Sequence, residues 1–316
     1  MKSLKNGPYI ARKGRRSPMK SAFVSVIIPV FNDSEKLALC LGALSRQTYP
    51  ADLFEVIVVD NNSTDSVESV MRGFPGVRLE RESHQSLTAA RNAVISAAHG
   101  EIFAFTDADC IPDGSWIAEG VKAFSSAGHC GAVGGKIELF FRDRLRPTSA
   151  EIFESLFAFR QDEIIKRYHQ LATANAFTSR SIIEEVGDFD ASVLSGGDME
   201  WGRRVCAAGY SLCYAPSAIV KHPARATLRD LLNKHMRVKG GFYDIRRKKG
   251  AYPLKEFLAD LKNDWPHLSD VKVVMNERRC SWLRRVKVLA VLVCVRTARL
   301  FEMVRLIAGG DRKSVV

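Results

Sequence analysis

The chain has 316 residues, 46% hydrophobic and 26% charged, an ordinary folded composition with room for one large α/β domain and an appended segment. Its net charge of +12 is lopsided: residues 1–20 carry +7, residues 221–316 carry +14 and the middle carries −9, which suggests catalysis in the centre and contact with an anionic surface at the ends. No zinc-finger, RNA-binding or zipper pattern accompanies the charge, so no specific nucleic-acid partner is expected.

Residues 1–22 read as a basic tail, because nothing before Phe23 resembles the apolar stretch of a secretory signal. Phe23–Pro29 and Phe54–Val59 are β-branched runs that predict buried strands ending in polar loops. Between them, Glu35–Arg46 carries Leu37, Leu41 and Leu44 at helical spacing, with Ser34 as its expected cap. Thr88 is the expected cap of an alanine-rich helix over 89–98, ended by Gly100. Glu101–Thr106 is a third strand, running into Asp107-Ala-Asp109. This order predicts an α/β fold, a mostly parallel sheet flanked by helices. Its ligand edge lies beyond the carboxyl ends of the strands, where Asn32, Asp60 and Asp107 would converge.

Gly131–Phe141 and Tyr210–His222 read as extended, the second interrupted by Pro216, whereas Glu151–Gln170 and Asp198–Ala208 read as helices. Beyond Pro223 the chain turns basic and helical. The expected organisation is a catalytic domain over 23–225 and a basic, mainly helical extension over 226–316. Seven cysteines without a Cys-x-x-Cys pair predict reduced, mostly buried thiols in a cytoplasmic protein.

In an extended segment, side chains two apart share a side, so Asp107 and Asp109 can address one divalent cation and the nucleotide bound to it. Magnesium or manganese prefers such oxygens. Read alone, the triplet serves equally as a solvated turn before Pro112. Asp60 can accept a hydrogen bond from a base or ribose, or join Asn61, Asn62, Ser63 and Asp65 in capping the next helix. Arg91 offers a guanidinium to phosphate, to a base edge or simply to solvent. His222, on extended backbone before Pro223, is a neutral ligand or a structural imidazole. Trp201 stacks on an acceptor sugar or fills the core.

Six stretches carry a resemblance: Val24-Ser-Val-Ile-Ile-Pro-Val-Phe-Asn32, Val58-Val-Asp-Asn-Asn-Ser-Thr-Asp65, Ala89-Ala-Arg-Asn92, Phe105-Thr-Asp-Ala-Asp109, Ala174-Asn-Ala-Phe-Thr-Ser-Arg180 and Gly197-Asp-Met-Glu-Trp201. In this order they resemble a family 2 glycosyltransferase of GT-A fold over roughly residues 23–225. The resemblance implies an inverting enzyme that moves a sugar from a nucleotide-diphosphate donor, UDP-sugar first, to a hydroxyl of a saccharide or glycolipid acceptor, as in cell-envelope synthesis. It implies that Pro29 and Phe31 line the uridine pocket, Asp60 reads uracil and Arg91 assists nucleotide binding. Asp107 would touch ribose or metal, Asp109 would be the principal protein ligand of Mg²⁺ or Mn²⁺, and His222 would approach the metal or diphosphate. Asp198 matches the catalytic base, with Asn175, Glu200 and Trp201 on the acceptor side.

One position departs from the pattern: Gly197 stands where many relatives have glutamate, and Glu200 is the rival base on a different helix face. No Gly-x-Gly-x-x-Gly turn is present, which weakens a dehydrogenase reading. A nucleotidyltransferase of related fold and a noncatalytic anion-binding protein are the alternatives. Near the end, arginines and Lys287 interrupt an apolar stretch whose longest uncharged run, Val288–Val295, has eight residues, against about 20 for a membrane span. With Arg246-Arg-Lys-Lys249, this segment predicts peripheral contact with anionic lipid on the inner face of the membrane.

Overall fold

The computed structural model describes residues 22–248, 250 and 254–310, with side chains from 257 onward in the last stretch. The expected basic tail therefore lies outside the described residues except for Ala22, as does Lys249 of the cationic cluster.

The first half alternates strand and helix: Val24–Val30 (β1), Ser34–Leu44 (α1), Phe54–Asp60 (β2), Val67–Met71 (α2), Arg78–Arg81 (β3), Leu87–Ile95 (α3) and Ile102–Thr106 (β4). β1 runs parallel to β2 and β4, and β2 parallel to β3. Every residue of β1 and β4 is buried, because helices cover both faces of the sheet. The period of two divides β1 between two cores. Val24, Val26 and Ile28 pack with Leu37 and Leu41 of α1, whereas Ile27 packs with Ala90 and Val94 of α3.

Two caps differ from expectation. Asp33 rather than Ser34 precedes α1, without a side-chain bond to the helix amides. Ser86 caps α3 by accepting from the Ala89 amide, since the helix already begins at Leu87 and ends at Ile95.

The chain continues through Ile111–Pro112 (β5), Trp116–Ser126 (α4), Cys130–Phe140 (β6), Ser149–Phe157 (α5), Gln161–Tyr168 (α6), Asn175–Ser179 (β7), Arg180–Val186 (α7), Gly197–Ala207 (α8) and Ser211–Pro223 (β8). The sheet order among the described residues is β3-β2-β1-β4-β7-β6-β8-β5. Only the β4–β7, β7–β6 and β8–β5 pairs are antiparallel, so the sheet is mostly parallel. The single helix expected over 151–170 is two, broken where Phe159 takes φ 55°. Cys130 and Cys213, on neighbouring strands, are joined to each other, unlike the uniformly reduced thiols expected.

Leu228–Arg247 (α9), Leu254–Asp264 (α10), Leu268–Met275 (α11) and Trp282–Ile307 (α12) follow. Val288, Val291, Leu292 and Val295 of α12 share a core with Phe153 of α5 and Leu231 of α9, so one side of the apolar run near the end is internal packing. α9 also lies close against the loop before α8: a Cβ at Gly241 would fall 1.9 Å from the Ser195 carbonyl oxygen. Among the described residues, no helix is long and apolar enough to cross a membrane.

Candidate active site

β1 and β2 end in register, Val30 opposite Asp60, and β4 ends beside them. The loops that follow open on a cleft of about 580 Å³. Pro29 and Phe31 line it at the end of β1, Asn61 after β2, Asp107 and Asp109 after β4, and His222 and Arg225 at the end of β8. Its far wall belongs to α9, beyond the boundary expected at 225, through Asp230, Asn233, Lys234 and Arg237.

The strand-end loops are tied to one another. The Asn32 side chain accepts from the Thr64 amide (2.7 Å), Asp60 Oδ1 accepts from the Ser63 amide (2.9 Å), and Asn61 Nδ2 donates to the Glu82 and His84 carbonyls. Asp60 is buried at the strand end, behind the lining rather than in it.

Arg91 is not a surface residue. Only 3% exposed, it projects from α3 and donates from Nη2 to Asp107 Oδ1 at 2.7 Å. That charge-assisted bond fixes the Asp107 carboxylate at the cleft wall. Asp109 Oδ2 lies 3.5 Å from His222 Nε2. His222 Nδ1 is 2.8 Å from the Pro223 carbonyl, which can only accept, so in the neutral ring Nδ1 carries the proton and the Nε2 lone pair faces Asp109. In that tautomer a carboxylate oxygen faces an imidazole lone pair, a donor set that fits a divalent cation. Cys110 also has an atom within 4.8 Å of theirs. Burial, reinforced by Asp107 and Asp109, pushes its thiol well up, and a soft sulfur suits Mg²⁺ or Mn²⁺ less well than these oxygens do.

The support behind His222 escapes a motif-based reading. The Phe159 ring packs on the imidazole, centroids 4.5 Å apart, and Lys234 Nζ stands 4.3 Å from the Phe159 centroid. Glu154, 1% exposed, accepts from the Arg225 amide (2.6 Å), Arg225 Nη1 (2.7 Å) and Lys234 Nζ (2.7 Å). Burial opposes its charge, but Lys234 and Arg225 prevail and hold its carboxyl at about 2. The available signal was the polar spacing Asp230, Asn233, Lys234 and Arg237, which marks one face of a helix.

Glu154→Gln leaves two inward cations without their counter-charge, and removing one member of a buried pair costs about 3–5 kcal/mol. Because the folded-state carboxyl is depressed from 4.5 to about 2, its contribution is complete above the unfolded value and is lost as pH falls through the folded one. Thermal melts at several values between pH 7 and pH 3 should therefore show wild type losing an increment of stability that Glu154→Gln lacks at every pH. Superimposable curves would refute the role.

Asp198 opens α8 after Gly196, whose φ of 81° suits glycine. Its Oδ1 accepts from the Met199 amide (2.9 Å) and its Oδ2 from the Thr173 amide (3.2 Å). Burial raises its pKa against the opposing pull of Arg91 and these two amides. Asp198 does not line the 580 Å³ cleft; Leu194, just before it, does. A Cβ at Gly197 would sit 2.4 Å from Thr88 Cγ2, so the glutamate of many relatives has no room here.

Three acceptor-side expectations meet other uses. Trp201 is 1% exposed, donates to the Gly187 carbonyl (2.9 Å) and packs on Phe189, so it fills the core. Asn175 is fully buried; it accepts from Trp116 Nε1 and donates to the Lys136 and Ala218 carbonyls. Both Glu200 oxygens accept from Arg204 Nε, which pins the loop at Val186–Asp188 through the rest of that guanidinium.

Comparison with known proteins gives consistent matches. The sequence profile of glycosyl transferase family 2 covers residues 25–187, and that of glycosyl transferase family group 2 covers residues 107–308. Glycosyltransferase AglE of Haloferax volcanii is 39% identical over 224 residues, which span 69% of this chain and 72% of that protein. A dolichyl N-acetyl-α-D-glucosaminyl phosphate 3-β-D-2,3-diacetamido-2,3-dideoxy-β-D-glucuronosyltransferase of Methanococcus voltae is 19% identical over 71% of this chain and 76% of its own length. A solved structure, the mannosyltransferase PcManGT of Pyrobaculum calidifontis in complex with GDP-Man and Mn²⁺, superposes with a TM-score of 0.62 at 21% identity, covering 96% of this chain and 92% of that one.

Proposed function

Since the chain belongs to glycosyl transferase family 2 and has the GT-A fold of a glycosyltransferase, we propose that it is a metal-dependent, inverting enzyme using a UDP-sugar to glycosylate a hydroxyl of a saccharide or glycolipid. The observation that carries this is the opposition of Asp109 Oδ2 and His222 Nε2 at 3.5 Å inside the cleft at the strand ends. The glycolipid acceptor is supported by the name of the Methanococcus relative. A cytoplasmic, peripheral placement in cell-envelope synthesis belongs to the same proposal.

Pro29 and Phe31 offer apolar surface to the base, with Asp60 at the end of β2 as its reader. Arg91 holds Asp107 in place toward ribose or cation. A divalent cation bound by Asp109 and His222, with Asp107 beside them, would offset the charge on the departing diphosphate. Arg225 and Lys234, oriented by Glu154, add positive charge on the facing wall. Asp198 accepts the proton of the acceptor hydroxyl as its oxygen forms a bond to the anomeric carbon and the carbon–phosphate-oxygen bond breaks on the opposite face.

The test is a donor screen read by released nucleoside diphosphate, with Mg²⁺, Mn²⁺ or chelator, and with saccharide or glycolipid acceptors. Sugar transfer from a UDP-sugar, abolished by chelation, is the expected result. Preference for a GDP-sugar would overturn the base assignment alone, and pyrophosphate release from a nucleoside triphosphate would overturn the transferase chemistry.

A further inference from the structure

The cleft makes no use of the outer face of α12, and that face separates its chemistry sharply. Successive helical residues turn by about 100°, which gathers Leu283, Val286, Val293, Phe301 and Val304 on one side, all exposed, with Phe301 at 66%. Ala290 and Thr297 fill the gaps between them and are exposed too. Most of the charged residues that interrupt the α12 sequence stay out of this stripe, and exposed Lys287 borders it. Arg296 and Arg299 reach inward to Asp270 and Asp264, Glu302 pairs with Arg305, and Arg285 donates to the Glu277 carbonyl. Trp282 at the start of α12 is 67% exposed, and Trp265 and Leu268, at the end of α10 and the start of α11, are exposed as well.

A second observation concerns the acids. Between 257 and 310 the carboxylates are Asp260, Asp264, Asp270, Glu277 and Glu302, and each has a side chain no more than 15% exposed. Lys262, Lys272, Arg278 and Lys287 are exposed. The outward surface of these helices is therefore apolar and cationic, with no exposed carboxylate among the described residues. Two copies meeting through it would bring like charges together, whereas an anionic lipid surface complements both its charge and its apolar stripe.

We propose that the outer face of α12, with Trp265, Leu268 and Trp282, lies in the headgroup layer of an anionic bilayer, the helix axis parallel to the membrane plane. Interfacial tryptophans suit that depth. This surface differs in part from the one the sequence suggested: Val288, Val291, Leu292 and Val295 pack inward, Arg246 is bound to Asp260, and Lys248 to Asp190 and Ser192. The inference stands apart from the transferase chemistry, and its test does not read turnover.

Full-length protein is mixed with vesicles of phosphatidylcholine alone or with added phosphatidylglycerol, and binding is followed by co-sedimentation and intrinsic fluorescence. Of the four tryptophans, Trp116 and Trp201 are buried, so a blue shift on binding reports Trp265 and Trp282. Wild type should prefer the anionic vesicles, and salt should weaken the preference. The double variant Val293→Glu/Phe301→Glu should lose about tenfold or more in partitioning, with an unchanged circular dichroism spectrum and melting temperature. Lys287→Glu should reduce the anionic preference alone. Equal binding of wild type to both vesicles, equal binding of wild type and the double variant, or a lipid-free dimer that the double variant dissociates would each overturn the proposal.

Discussion

Asp109→Asn is expected to lower turnover by roughly 10²-fold or more, the equivalent of the several kcal/mol a cation supplies to a departing diphosphate. The substitution nearly preserves shape, but it replaces a charged oxygen 3.5 Å from His222 Nε2 with a neutral amide. Two readouts separate a ligand from a structural turn. Calorimetric titration of Mn²⁺ in the presence of donor should weaken markedly. Thermal stability without metal should change little, because Asp109 is partly exposed and Cys110 Sγ, its neighbour at 3.8 Å, is only a weak partner. An unchanged Mn²⁺ titration with unchanged turnover would remove Asp109 from the metal site. A large fall in stability alone would reassign it to the turn.

The strands that build the cleft were legible where burial on both faces leaves a dense apolar run. Val24–Val30, Phe54–Asp60 and Ile102–Thr106 are such runs, and the polar residues that stop them form the site. β3 was not legible, since Arg-Leu-Glu-Arg sits at the sheet edge and lacks both alternation and apolar density. The tail of the sequence shows a different limit. Its arginines looked like a patch offered to lipid because charge in a sequence carries no direction. Folded, Arg246, Arg296 and Arg299 turn inward to aspartates, and the exposed side of the helix keeps the apolar residues.

The same lack of direction explains the acceptor side. Glu200 and Trp201 lie within three residues of Asp198, but α8 rotates them away, one to Arg204 and the other into the core. Motif proximity stood in for spatial proximity there and failed. His222, more than a hundred residues from Asp109 in sequence, is its neighbour because the end of β8 returns to the cleft. The wall formed by Glu154, Arg225 and Lys234 joins three segments around one buried carboxylate, a closure that only the folded chain brings about.

Asp198→Asn is expected to abolish acceptor-dependent transfer by roughly 10²–10⁴-fold, the usual range for loss of a general base, while leaving donor and metal binding in place. The environment suits a base: burial raises the Asp198 pKa above its ordinary value, and Arg91 and the Thr173 and Met199 amides limit the rise. The carboxylate is therefore more basic than that of an exposed aspartate. In wild type the transfer rate should rise with pH along an acid limb as this group loses its proton. Asparagine keeps an oxygen for one of the two amides, so the opening of α8 is conserved, but it has no basic lone pair for the hydroxyl proton. Single-turnover transfer with donor and acceptor both saturating isolates that step, and a parallel donor titration reports the scaffold. Near-wild-type transfer would sink the assignment. Because Asp198 shares the field of Arg91 with Asp107, weakened donor affinity with an intact chemical step would instead make it a residue that positions Arg91. Glu200 offers no ready substitute, since Arg204 occupies both of its oxygens.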